Sequence, residues 1–521
     1  MNKGRWGGYV LLSLLLAACG GGGGGYGGGG NNPPPGGWVA GVFPPSSNFD
    51  AMCVSPRPAN DPNGPWPDVP GTTTDQNNWL RSWTNELYLW YAEVPDRNPA
   101  LYPTAEYFEL LKTPAQTPSG RDKDQFHFPF PTNDWIALSQ SGEQPGYGAA
   151  WIIFQEIGLP RRVLVGFTEP GSPAVQPAAN LVRGAEILSV DGVLVTDNTA
   201  AGVDTLNAGF FPSAAGQSHT FRIRELNGTE RNITMASAII TSTPVQNVTT
   251  IAAGADTIGY LLFNDHIATA EQGLINAITT LQAAAVDDLI LDIRYNGGGF
   301  LDIASELAFM IAGPATAGQT FELLQFNDKH PTRDPVTGDL IAPIPFHQTT
   351  QGFSGGPVAA LPTLNLGRVF VLTGDFTCSA SESIINSLRG VDVEVIQIGS
   401  RTCGKPYGFY PFDNCGTTYF SIQFKGVNAK NFGDYADGFS PQNTVAVGGE
   451  RIPGCSVGDD FTHALGDPAE ERLKEALLYR TAGSCTAAPS GLARATLGEP
   501  PLVTDGVMYK SPWHQNRILR R

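Results

Sequence analysis

The sequence contains no C-x-x-C pair and no H-E-x-x-H run, so the spacings by which cysteines and histidines usually hold zinc are missing. No Lys-Ser/Thr pair follows its glycine-rich turn, which excludes a Walker-type phosphate loop. Basic residues are in deficit: Lys and Arg total 32 against 49 Asp and Glu, a net charge of -17. A nucleic-acid binder needs the opposite excess to neutralise phosphates. The apolar stretch near the N-terminus, "YVLLSLLLAA", is too short to remain as a transmembrane helix.

What is present starts with a leader. Lys3 and Arg5 precede that apolar stretch and Cys19 follows it, the pattern of a secretory signal. "LAAC" at residues 16–19 resembles the bacterial lipobox, whose cysteine becomes the lipidated first residue of the mature chain. Gly20 stands where an Asp would signal inner-membrane retention, so an outer-membrane anchor is expected, on either face. Residues 1–18 thus read as signal peptide and 19–47 as a tether, with flexible glycine giving way to a stiff proline step. Six further cysteines, an even number in an exported chain, imply disulfides. Cys403 and Cys415 flank an expected hairpin and are expected to pair.

At 521 residues the chain is too long for one core, and about three domains are expected. In 48–141, Leu80, Trp83, Leu87, Leu89 and Trp90 fall at helical spacing, and "TAEYFELLKTP" gives a second helix stopped near Pro114. From residue 146 the pattern is strand-like, ending in the hairpin "HTFRIRELNGTERNITM" with Asn227-Gly228 at its turn. The element order over 146–240 resembles a PDZ domain, which adds a partner's terminal strand to a sheet edge. Its carboxylate-holding loop falls on Gly146, Tyr147 and Gly148. A spacer domain with no ligand is the alternative. Over 250–480 strands alternate with helices, the βαβ order of an α/β core. The stretch 481–521, rich in Ala, Pro and Gly at its start, reads as a loose tail.

Three turns in the core carry candidate chemistry, each directly after a strand. In "TCSASESIINSL" (377–388), Ser379 and Glu382 fit a capping box, which explains the serine without catalysis. A serine nucleophile needs a base and fixed amide donors for its oxyanion. "NGGG" (296–299) lets backbone N–H groups approach a ligand. In "SRTCGKPYGFYPF", Lys405 has aromatic company and no acid within seven residues on either side. From a starting pKa of about 10.4, desolvation without a carboxylate partner moves a lysine toward the neutral form a base requires.

"YNGGG", "SASE" and "GK", in this order and spacing, resemble the C-terminal processing peptidases, the tail-specific serine proteases of family S41; the "DGFSP" at 437–441 also matches. The resemblance implies an S41 core with Ser379 as nucleophile, Lys405 as general base and the amides of Gly298 and Ala380 as the oxyanion hole. It implies no cofactor and no metal. The family often carries a Gln four residues after the lysine to orient it; here that position is Phe409, and Tyr407, on the same face of an extended segment, could substitute. Cys378 is expected to be buried or disulfide-bonded. His266, just after a strand entering the core, is expected to be structural although it could line the cleft.

The resulting expectation is an α/β S41 protease core preceded by a small helical domain and a PDZ-like β-domain. Its activity would be that of a lipid-anchored envelope endopeptidase cutting exposed or unfolded protein C-terminal tails through an acyl-enzyme. Its partners would be peptide substrates and, through the anchor only, a membrane. The rival is an S41 scaffold that binds tails without cleaving them, and Phe409 is the residue that favours it. Action on an envelope glycan has no positive feature.

Overall fold

The computed structural model describes residues 38–154, 159–444 and 448–486 together with the backbone of 516–518. The signal peptide, Cys19, the tether up to residue 37 and most of the tail lie outside the described residues.

The central sheet has six strands in the order Val245–Ala253, Asp256–Phe263, Asp288–Asp292, Arg368–Thr373, Glu394–Gly399 and Gly454–Ser456. The first pair is antiparallel and the others are parallel. Parallel neighbours need crossovers, and helices Ala270–Ala283, Leu301–Ala312 and Ala380–Gly390 lie within them. Side chains alternate across the sheet. Leu261, Leu289, Leu291, Val369 and Val371 pack against these helices. Tyr260, Ile290, Phe370 and Ile396 face the other layer, closed by Leu473 and Ala476 of helix Glu471–Ala482. "DLILD" is buried at all five positions, which is why it shows a continuous apolar run instead of alternation.

Residues 149–236 form a second sheet of antiparallel strands, ordered Glu230–Ala236, Ser218–Arg224, Glu186–Val190, Arg162–Thr168, Ala149–Phe154. It has its own core, including Val163, Ile187, Leu206 and Phe221. The expected hairpin is present: Glu230–Ala236 pairs with Ser218–Arg224, the Asn227 side chain accepts the Thr229 N–H at 2.8 Å, and Gly228 takes a φ of 84°. Arg183 ties this sheet to the core, donating to the Tyr295 hydroxyl at 2.6 Å and to Asp459 at 2.5 Å. Arg294, fully buried, joins Asp292, Asp459 and Glu470 in the same ionic cluster. Removing one member of such a buried cluster costs about 3–5 kcal/mol, because it strands a charge away from water.

In the N-terminal segment, helix Thr73–Leu87 starts on a capping box between Thr72 and Asp75 and buries Trp79, Leu80 and Trp83. It stops before Leu89 and Trp90, which the spacing had included. Tyr88 turns extended, and the Leu89 N–H donates to the Ile422 carbonyl instead of continuing the helix. Strand Phe128–Pro131 of this segment pairs with Thr417–Phe420.

The cysteines pair differently from expectation. Cys403 and Cys415 are not bonded to each other; the bridges are Cys53–Cys415, Cys378–Cys403 and Cys455–Cys485. Cys415 and Gly416, at φ 58° and 81°, form the turn of a hairpin between Phe412–Asn414 and Thr417–Phe420. That turn meets the N-terminal segment, while Cys403 lies in the core beside Cys378. Three disulfides fit an extracytoplasmic protein. Among the described residues no helix is long and apolar enough to cross a membrane.

Candidate active site

The carboxyl ends of the four central parallel strands converge, and the three candidate turns meet there. Strand Arg368–Thr373 leads to Ser379, strand Asp288–Asp292 to the glycine turn, and strand Glu394–Gly399 to Lys405. Ser379 is the N-cap of helix Ala380–Gly390 and sits at φ 59°, ψ -113°. A non-glycine residue held there stores about 1–3 kcal/mol of strain, which persists only where the surroundings over-determine it.

Those surroundings centre on Glu382. Its carboxylate accepts the Ser379 N–H at 2.9 Å, as the capping box requires. It also accepts the Thr402 hydroxyl at 2.5 Å and the Gly404 and Lys405 N–H groups at 2.9 and 2.8 Å. Burial holds its pKa above the ordinary carboxyl value against the pull of these donors. One carboxylate therefore fixes both the Ser379 and the Lys405 segments. The Cys378–Cys403 disulfide ties the same two segments with Cα atoms 5.2 Å apart, and the Cys403 N–H donates to the Thr377 carbonyl. Ser379 and Lys405 are both fully buried.

Lys405 Nζ lies over two aromatic faces, 4.4 Å from the Phe409 ring centre and 4.7 Å from that of Phe126. Tyr407 packs edge-on to Trp90, with ring centres 4.7 Å apart. The position four residues after the lysine thus presents an aromatic face to it.

Asn296 joins the glycine turn to the serine turn. Its carbonyl accepts the Cys378 N–H at 3.1 Å and the Ser381 hydroxyl at 3.0 Å. Its side-chain oxygen accepts the Gly298 N–H at 2.9 Å and lies 2.9 Å from His266 Nδ1. Burial pushes the His266 pKa down to about 3, so the ring is neutral and donates from Nδ1 to Asn296. Ala380 is the first helical residue, where backbone N–H groups have no intrahelical acceptor.

Gly146, Tyr147 and Gly148 line a cavity of about 1190 Å³. It runs beside strand Ala149–Phe154 and helix Ala200–Phe210 and reaches Asp265, Tyr295 and Phe376 of the core. Two places among the described residues gather three Cys and Glu ligand atoms, Cys378–Glu382–Cys403 and Cys455–Glu475–Cys485. Their sulfurs are in disulfides, which offer no thiolate to a metal. Two features escaped the sequence reading. The Ser379–Glu382 spacing signalled the capping half of Glu382, whereas its bonds to residues 402–405 and the role of Asn296 depend on contacts between separate strands.

A strained serine at a helix N-terminus, a buried lysine and a glycine turn thus gather at the carboxyl edge of an α/β sheet. Residues 257–413 match the model of peptidase family S41. The chain is distantly similar to a carboxyl-terminal-processing protease of Picosynechococcus sp. (strain ATCC 27264 / PCC 7002 / PR-6), with 29% identity over 185 residues. That match takes in 33% of this chain and 40% of the relative, so less than half of the relative's length is spanned. In fold the chain is similar to the solved structure of a candidate S41 protease from Bacteroides fragilis NCTC 9343, at TM-score 0.58 and 23% identity, covering 81% of this chain and 99% of that one.

Proposed function

We propose that this protein is a serine endopeptidase of the cell envelope that cuts exposed or unfolded protein C-terminal regions. The observation that carries the reading is the joint tethering of the strained Ser379 and of Lys405 by Glu382 and the Cys378–Cys403 bridge. Ser379 Oγ attacks the substrate carbonyl carbon while Lys405 Nζ takes its proton. The lysine returns that proton to the leaving amine, and water then releases the acyl group from Ser379 by the reverse sequence. The Ala380 N–H receives the oxyanion together with that of Gly298, which Asn296 Oδ1 holds until the oxyanion replaces it. The Phe409 and Phe126 faces orient the lysine, with the Tyr407 hydroxyl as the alternative.

Residues 146–240 act in this reading as a PDZ-like module. Strand Ala149–Phe154 is the edge of its sheet among the described residues, and the cavity beside it has room for an added peptide strand. Cys19 carries the lipid anchor, expected at the outer membrane. The test is incubation of the full chain and its Ser379→Ala and Lys405→Ala forms with an unfolded protein bearing an apolar tail, read by mass spectrometry. Cleavage by the parent alone supports the reading. A folded parent that binds tails but cuts none across a range of alkaline pH returns the non-cleaving scaffold, which the phenyl ring of Phe409 beside the lysine favours. For the anchor, detergent-phase partitioning of the mature protein should be lost in Cys19→Ala.

A further inference from the structure

A buried strand must find partners for the polar groups on both of its edges. Gly298–Phe300 is buried at all three positions, and one edge is committed to His266. The His266 N–H donates to the Gly298 carbonyl at 3.2 Å, and its carbonyl accepts the Phe300 N–H at 2.8 Å. A Cβ on Gly299 would stand 2.5 Å from that carbonyl oxygen, so this edge is closed at contact. The other edge is taken by a segment from far along the chain. Asn516–Ile518 runs parallel to it, with Gly298 opposite Asn516, Gly299 opposite Arg517 and Phe300 opposite Ile518. The backbone of this segment also lies against helix Ala380–Gly390 and strand Tyr407–Gly408. It is therefore enclosed by the pieces of chain that carry Ser379, Lys405 and the glycine turn.

We infer that Gly298–Phe300 is the edge that takes the main chain of a polypeptide substrate, and that Asn516–Ile518 occupies it as a pseudosubstrate strand that must leave before a substrate enters. The inference rests on the peptidase reading for the word substrate; the occupied edge stands on the strand pairing alone. Main-chain pairing explains how one edge serves both occupants, because it reads backbone and not sequence. Three residues make few bonds, but a tethered strand competes at an effective concentration on the order of millimolar. A longer polypeptide, pairing further and held elsewhere, can displace it. Such an occupant raises the apparent KM and leaves kcat unchanged, because the open form turns over normally.

The experiment uses the full chain with Arg517→Pro and Ile518→Pro together, which removes two N–H groups and disfavours pairing in either phase of the ladder. Hydrogen–deuterium exchange of the peptide containing 298–300 is compared in the Ser379→Ala background, with and without the two prolines. The proline form should exchange faster, and a synthetic peptide of residues 513–521 should restore protection. In the Ser379 background the proline form should cleave an unfolded reporter with an apparent KM lowered about threefold or more and an unchanged kcat. Unchanged exchange together with unchanged KM would overturn the inference while leaving the peptidase intact. Faster exchange in a protein that cleaves nothing would keep the occupied edge and discard the peptidase.

Discussion

Replacing Glu382 by Gln tests whether one carboxylate holds the serine and lysine segments together. Glu382 accepts four donors, two on each oxygen: Thr402 Oγ1 and Gly404 N–H on one, Ser379 N–H and Lys405 N–H on the other. A glutamine must turn its NH2 toward one pair. Facing Thr402 is the cheaper choice, because a hydroxyl can accept where an amide N–H cannot. The Gly404 N–H is then left unsatisfied in a buried site, at a cost of about 1–3 kcal/mol. Facing Ser379 and Lys405 instead orphans two amides and costs about twice as much. Either way the lysine segment relaxes, and displacements of about 1 Å at a reacting group cost up to about a hundredfold in rate. Glu382→Gln should therefore lower the urea midpoint, followed by tryptophan fluorescence, and lower kcat about ten- to a hundredfold with little change in KM. Wild-type stability and turnover would refute the reasoning. They would mean that the carboxyl, whose pKa burial raises, already carries a proton and that Gln merely copies it.

Further outcomes follow from other contacts. Cys378→Ala with Cys403→Ala opens a loop of sequence separation 25, which in the chain-entropy account costs about 3.5 kcal/mol; stability and peptidase activity should fall together, and loss of stability alone would separate the bridge from the site. Glu306, buried and sharing hydrogen bonds with Glu271, has its pKa raised to about 9. The folded protein thus keeps a proton that the unfolded chain loses in the ordinary carboxyl range, so this group's contribution to stability falls as pH rises from there to about 9 and then levels off. Glu306→Gln should match the parent near pH 4 and exceed it near pH 9 in thermal midpoint, and parallel profiles would reject that assignment. Tyr407→Phe should leave kcat unchanged if the rings of Phe409 and Phe126 orient Lys405, and a drop would give the task to the phenolic hydroxyl. Gly299→Ala places a methyl 2.5 Å from the His266 carbonyl oxygen at a φ of 140°, so the variant should lose both solubility and cleavage; normal yield and activity would show that the turn can shift.

Much of the core was legible because its signals are local. "DLILD", "RVFVLT" and "EVIQIG" are apolar runs bounded by turn residues, and each precedes a turn whose residues reach the site. Asn227-Gly228 announced its hairpin for the same reason. What escaped depends on partners distant in sequence. Cys53 and Cys415 are 362 residues apart, and no spacing rule could prefer that pair over Cys403–Cys415. The helical spacing runs past Leu87, but the helix ends there because the Ile422 carbonyl takes the Leu89 N–H. Lys405 has no acid near it in sequence, yet Glu382, on the helix before strand Glu394–Gly399, accepts its N–H. The pairing of 516–518 with 298–300 was equally invisible, since three residues carry no periodicity.

On the proposed reading, the bridge between Cys378 and Cys403 bears on when the chain becomes able to cut. Thiols stay reduced in the cytosol and oxidise after export. A newly made chain there holds two separate thiols at the point where the mature protein has a covalent clasp across its serine and lysine loops. If the chain is the exported peptidase proposed above, it would be born slack and tightened only on arrival, sparing unfolded cytosolic chains. Assaying the parent with and without a membrane-permeant reductant reads this directly: equal cleavage of the reporter in both would show that the clasp is no safety catch.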